Sequence, residues 1–173
     1  TGDSLYVNSG NAYVTLDGSF IANGDTQNYG YVEIDTNGAN TVDLSGVSTD
    51  YDPFNDQYYT NGYTIDVNGN TQSVTGSIQN DSINIYGGDG VNVLGNGGND
   101  SFYLNNYGDA YINDLNTGDS LYVNSGNAYV TLDGSFIANG DTQNYGYVEI
   151  DTNGANTVDL GGVAIDYYEG QYY

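Results

Sequence analysis

The sequence predicts an all-β chain wound into a parallel β-solenoid, and three observations carry that expectation: apolar pairs with a two-residue period, turn dipeptides between them, and a short, regular spacing. Alternation at period two places one side-chain set on each face of a strand. The pairs run in order as Leu5/Val7, Val14/Leu16, Val32/Ile34, Val42/Leu44, Ile65/Val67, Ile83/Ile85, Val91/Val93, Phe102/Leu104, Leu121/Val123, Val130/Leu132, Val148/Ile150 and Val158/Leu160. Asn-Gly begins at Asn23, Asn37, Asn61, Asn68, Asn96, Asn139 and Asn153, and Asp-Gly at Asp17, Asp89 and Asp133, so most strands are expected to span about three to six residues. No apolar pattern holds a 3.6-residue period beyond one turn, and Gly, Asn and Asp stand where a helix needs better formers. Successive pairs begin about 8 to 10 residues apart, as from Leu5 to Val14 and from Ile83 to Val91. That cadence predicts coils of about 18 to 20 residues with two strands each, stacked about 4.8 Å apart around a thin apolar strip between two parallel sheets. Asn and Asp at the turns would ladder onto their equivalents above and below. Immunoglobulin-like β-sandwich repeats are the competing architecture, since they also carry strands every 8 to 12 residues or so.

The chain is internally repetitive. Thr1 through Leu44 returns letter for letter as Thr117 through Leu160, a period of 117 − 1 = 116 residues. The expected organisation is one complete unit, residues 1–116, and a partial second unit, residues 117–173. Identity that includes the surface turns exceeds what a fold requires. It points to recent duplication in a protein that gains from being long: a fibre, coat or adhesin. The opening sequence recurs at Thr117, as expected of a slice of an array whose export signal lies elsewhere.

Composition excludes many functions. There is no Lys, Arg, His, Cys, Met or Trp, against 23 Asp and Glu, for a formal charge of −23. Without cysteine there is no disulfide, thiolate nucleophile or zinc-thiolate site. Without His and Lys the usual general base, imidazole ligand and Schiff-base amine are missing. Phosphate recognition needs the missing cations, so nucleic acid is not an expected partner. No run of about 18 apolar residues is present to insert in a bilayer. Crowded carboxylates repel one another, and a hard divalent cation with oxygen ligands, above all calcium, is the expected neutralising partner. Calcium at millimolar concentration implies a secreted or cell-surface location.

The stretch Tyr86 to Leu104, YGGDGVNVLGNGGNDSFYL, resembles the calcium-binding nonapeptides of repeats-in-toxin proteins, G-G-x-G-x-D-x-U-x with U apolar. Gly87, Gly88, Gly90 and Leu94 match the first copy, with Asn92 where the family has Asp. A second copy matches at Gly95, Gly98, Asp100 and Phe102. The resemblance implies a parallel β-roll with calcium held between turns. Its implied metal site comprises Gly87, Asp89, Asn92, Gly97, Asn99 and Asp100, with Asp100 as the carboxylate ligand. NDSINIY at Asn80 echoes NDSFYL at Asn99, and GDSLYV at Gly2 and Gly118 repeats the same step.

Tyrosine is the third signal, with 20 in the chain. Half-buried strand positions with one wet end account for many of them. The junction from Gly46 to about Thr75 holds the only proline, Pro53, together with Tyr58 and Tyr59; its counterpart after Ala164 holds Tyr167 and Tyr168. These four tyrosines are the expected interaction residues, toward neighbouring subunits or toward glycans, whose C–H faces stack on aromatic rings. The expected function is therefore non-enzymatic: an extracellular structural repeat, part of a calcium-stabilised surface fibre, coat or adhesin that self-associates. The alternatives are a carbohydrate-binding adhesin module and, more remotely, a polysaccharide-degrading β-helix enzyme, because two carboxylates suffice for glycoside hydrolysis.

Overall fold

The computed structural model describes residues 4–87, 89–140, 142–163, 167–168 and 171–172. Among these residues twenty strands follow one another: β1 (Tyr6–Val7), β2 (Asn11–Thr15), β3 (Phe20–Ile21), β4 (Gln27–Asn28), β5 (Tyr31–Asp35), β6 (Thr41–Asp43), β7 (Tyr51–Asp52), β8 (Gln57–Tyr58), β9 (Thr64–Val67) and β10 (Ser73–Thr75). The second half holds β11 (Ser82–Ile85), β12 (Val91–Leu94), β13 (Ser101–Leu115), β14 (Ser120–Leu132), β15 (Phe136–Ile137), β16 (Gln143–Asn144), β17 (Tyr147–Asp151), β18 (Val158–Asp159), β19 (Tyr167–Tyr168) and β20 (Gln171–Tyr172). Among the described residues there is no helix. The chain is a parallel β-solenoid of about eight turns at a spacing of roughly 20 residues.

Pairing between turns divides each coil into sides. The first side stacks β2, β5, β9, β11, the start of β13, the start of β14 and β16, all parallel. The second stacks β3, β6, β10, β12, the later part of β13, the later part of β14 and β17. Parallel pairing of residues 18 to 22 apart, for example Thr64 with Ser82 and Phe20 with Val42, rules out the sandwich, whose neighbours are antiparallel. Two sheets per coil match the expectation from spacing. A third, shorter side does not: β4 lies on β1, β18 lies on β15, and the intervening turns stack without regular strands. The apolar strip is accordingly enclosed on three sides.

The core is a column of identical inward positions. Val32, Ile34, Ile65, Val67, Ile83, Ile85, Phe102 and Leu104 fill it from the first side, and Val42, Val74, Val91, Val93, Ala110 and Ile112 from the second. Each comes from an alternating pair whose partner residues face out, as in the buried/half-buried pattern of Ser82–Ile85. Between Glu33 and Thr64 the register jumps by 31 residues because the antiparallel hairpin β7–β8 is inserted on the third side. β19 and β20 form a second antiparallel hairpin at the matching point of the next unit, with Tyr167 opposite Tyr172 as Tyr51 is opposite Tyr58.

The two copies of the 44-residue segment do not occupy equivalent places around the axis. Residues 11–15 belong to the first side, whereas their twins 127–131 pair with the 109–115 part of β13 on the second. Likewise β3 lies on the second side and its twin β15 on the third. One 116-residue unit thus advances five turns and one further side.

This repetition provides an internal control for stacking. Val42 and Leu44, covered by the next coil, are 0 % exposed, whereas the identical Val158 and Leu160 on the last coil are 38 % and 49 % exposed. Ile34 is buried and its twin Ile150 only half-buried. The sequence is the same, so the difference lies in the surroundings: β6 is flanked by β3 and β10, whereas among the described residues β18 is paired with β15 alone. Deleting methylenes costs about 2–5 kcal/mol at a fully packed Ile. Ile34→Ala is therefore expected to fall in that range in urea unfolding and Ile150→Ala at less than half of it; equal losses would contradict burial by stacking.

Candidate functional site: a buried carboxylate column at the third corner

Three of the repeated acid–serine steps come together at the corner where the third side turns into the first. Asp81, Asp100 and Asp119 are 3 %, 2 % and 1 % exposed, 19 residues apart, one per turn. Each carboxylate reaches back to the preceding coil. Tyr63 N–H donates to Asp81 Oδ1 (2.7 Å), Asp81 N–H to Asp100 Oδ1 (2.8 Å) and Asp100 N–H to Asp119 Oδ1 (2.9 Å). The following serine completes the latch through the backbone: Ser82 N–H to the Tyr63 carbonyl, Ser101 to Asp81 and Ser120 to Asp100, at 2.8 to 2.9 Å. The second oxygens of the two outer acids are also engaged, Asp81 Oδ2 by Ser77 N–H (2.6 Å) and Asp119 Oδ2 by Asn116 N–H (2.8 Å).

Glycine makes room for these groups. An ideal Cβ on Gly76 would stand 2.5 Å from Asp81 Oδ2, and one on Gly95 would stand 2.1 Å from Asp100 Oδ2. Any side chain there would displace the acid. Burial without a cation raises the pKa of all three. It pushes Asp81 and Asp119 up to about 6, and Asp100 up to about 8, where the charges of Asp81, Asp119 and Asp114 add to the burial.

The residues that the calcium resemblance singles out lie at two separate corners, at opposite ends of β12. Gly87 sits at the turn after β11, where its N–H donates to Val67 O (3.1 Å) and a Cβ would meet Gly69 N at 2.8 Å. Gly88 lies outside the described residues. Asp89 Oδ1 accepts Asp109 N–H (3.3 Å), and Asn92 is an exposed position of β12. Gly97, Asn99 and Asp100 belong to the other turn, where Gly97 adopts φ +105° and Asn99 N–H donates to Asn80 Oδ1 (2.8 Å). Asp100 is the buried centre of the carboxylate column. Among the described residues, no three acidic side chains gather into a group that could hold a metal ion by side chains alone.

The aromatic candidates separate as well. Tyr58 is exposed and packs its ring 5.0 Å from Tyr51 across the hairpin, while Tyr59 OH donates to Asp52 Oδ2 (2.7 Å). Tyr167 and Tyr168 form the backbone of β19. Outward tyrosines also stack coil on coil: Tyr103 on Tyr122 at 4.8 Å and 13°, and Tyr111 on Tyr129 at 5.1 Å and 19°. Sequence reading passed over Asp81 and Asp119. Their signal was present in the NDS, NDS and GDS steps at Asn80, Asn99 and Gly118, each 19 residues from the next.

No helix among the described residues is long and apolar enough to cross a membrane. Comparison with protein-family models, with curated proteins and with solved structures finds no match.

The column makes stability depend on pH with a definite sign. The folded values lie above those of an unfolded aspartate, so the contribution is complete below about pH 4 and is lost as pH rises through 6 and then 8. The thermal midpoint is expected to fall between pH 5 and pH 9. Asp100→Asn, which keeps an acceptor oxygen without charge, is expected to flatten that decline and to exceed the parent at pH 9; an unchanged slope would contradict the role given to Asp100.

Proposed function

We propose that the chain is a non-enzymatic, extracellular structural repeat: a segment of a calcium-stabilised surface fibre, coat or adhesin whose units join coil on coil. The observation that carries this reading is the internal twin comparison. The same segment enters the parallel stack at both places, residues 11–15 on Tyr31–Asp35 and their twins 127–131 on Tyr147–Asp151, so the fold extends along one axis without needing a different sequence. Close repetition of one unit suits that purpose, since each added unit supplies the same stacking surfaces. A one-side advance per unit spreads the hairpins around the rod.

Calcium is the proposed counterion for the outward-facing, half-buried acids rather than for the buried column, where Asp81 and Asp119 accept amide hydrogens on both oxygens and Asp100 on Oδ1. Glu33 and Asp35 stand beside Asp66 on the first side, and Asp66 is raised by burial first and then by those two charges. A divalent ion between such rows would relieve their repulsion. Extracellular calcium would then favour the folded state outside the cell by mass action.

Arrays of one, two and three units test it by small-angle scattering. The rod is expected to lengthen by ~26 Å per unit, from five and one-third turns at ~4.8 Å each, with an unchanged cross-section; units that scatter as independent beads would contradict it. A second arm compares the thermal midpoint in millimolar calcium with that in sodium at equal ionic strength. A rise of several degrees is expected with calcium, and equal midpoints would remove calcium from the proposal.

A further inference from the structure

The hairpin β7–β8 walls a groove of about 1230 Å³ along the corner between the third and first sides, with Asp56, Gln57 and Tyr58 on one flank. Its floor repeats with the coils. Thr64, Ser82 and Ser101 stand in register and supply one half-buried hydroxyl per turn, so at about 4.8 Å per turn a hydroxyl row runs along the solenoid axis across three coils. The exposed Asn80 and Asn99 add an amide on two of them, while Asn61 stands one residue out of that row and donates Nδ2–H to Gly30 O (2.7 Å). Two further groove residues carry polar atoms that are buried without a hydrogen-bond partner, the Tyr63 hydroxyl and Gln79 Oε1. Gln79 uses its amide nitrogen on Thr60 Oγ1 (3.0 Å), which leaves the carbonyl oxygen as an unmet acceptor.

The chemistry of this lining selects among ligands. An anionic polymer finds no Lys, Arg or His here and meets Asp56 instead. A metal ion finds no vacant cage, because both Asp81 oxygens accept hydrogen bonds from Tyr63 and Ser77 and Asp56 Oδ1 accepts the Tyr51 hydroxyl. A peptide adding as a strand needs a free sheet edge, yet the floor's backbone groups are already paired with adjacent coils, as at Ser82 and Ser101. Side-chain amides and hydroxyls beside the exposed Tyr58 ring suit a molecule with many neutral hydroxyls and an apolar C–H face. The axial repeat is also close to the advance of one pyranose in an extended chain.

We propose that this groove binds a neutral, linear, β-linked oligosaccharide lying along the solenoid axis, with Tyr58 as its stacking face and Asn80, Asn99 and the Thr64–Ser82–Ser101 row as its hydroxyl partners. The site goes beyond the structural role, since a rod can exist without it. It also divides the two adjacent tyrosines, because Tyr58 lines the groove and Tyr59 is turned to Asp52.

The test is isothermal titration of the intact chain with β-1,4-linked glucose, xylose, mannose and N-acetylglucosamine oligomers from dimer to hexamer, with oligogalacturonate as the anionic comparison. At least one neutral series should bind saturably, with affinity rising with length until the floor is filled. Tyr58→Ala and Asn80→Ala should each weaken it at least tenfold, while Tyr59→Phe leaves it unchanged and circular dichroism melting confirms that every variant folds. Absence of binding across the neutral oligomers, tighter binding of oligogalacturonate, or binding that survives both Tyr58→Ala and Asn80→Ala in folded protein would overturn the proposal.

Discussion

Everything in this molecule depends on the parallel stacking of one coil on the next. In a parallel ladder the strand's N–H and C=O groups find partners only in the coils above and below, so no coil satisfies its own backbone. Apolar burial has the same dependence, as Leu44 and its twin Leu160 demonstrate with identical sequence and opposite exposure. Packing also explains where glycine is required. Gly69 and Gly87 sit on one another at a corner where a Cβ on Gly87 would stand 2.8 Å from Gly69 N. A side chain there would pry the turns apart.

A chain without cations needs another way to hold carboxylates inside such a stack, and the backbone supplies it. Asp81, Asp100 and Asp119 each accept an amide hydrogen from the previous coil, so the donors that a third-side strand would have used are satisfied by acids instead. Buried amide-to-carboxylate bonds are strong, but desolvation opposes the charged form. The column therefore reinforces stacking most fully when it is protonated. Outward-facing acids meet the same problem with side-chain donors from the neighbouring coil: Asp35 Oδ1 accepts Asn68 Nδ2–H and Asp66 Oδ1 accepts Asn84 Nδ2–H. Core and surface thus hold the same excess of negative charge with different donors.

Much of the fold was legible because alternation is a local property. Ile83/Ile85 and Val91/Val93 fell on β11 and β12 facing the core, and the Asn-Gly and Asp-Gly steps fell between strands. The third side was hard to read because, beside Val7 and Phe136, its buried residues include Thr26, Asn28, Thr60, Ser77 and Gln79, types shared with turns. Asp100 drew attention through its glycine-rich setting as a calcium ligand; that its carboxylate turns inward onto Asp81 N–H is a tertiary fact visible only once the coils are aligned. The same holds for Tyr58 and Tyr59, adjacent in sequence but given different neighbours by the hairpin. The one-side rotation between repeats follows from the mixture of 18- to 22-residue coils with one long insertion, which no single period reveals.

Native-state hydrogen exchange by NMR tests the stacked carboxylate column most directly. The account predicts that the amides of Tyr63, Asp81 and Asp100 exchange only through global unfolding, with protection equal to that of Ile83 and Ile85 in the core. Exchange of those three amides at the rate of exposed turn residues such as Asn23 would show that the acids do not latch the coils, and the central claim would be wrong.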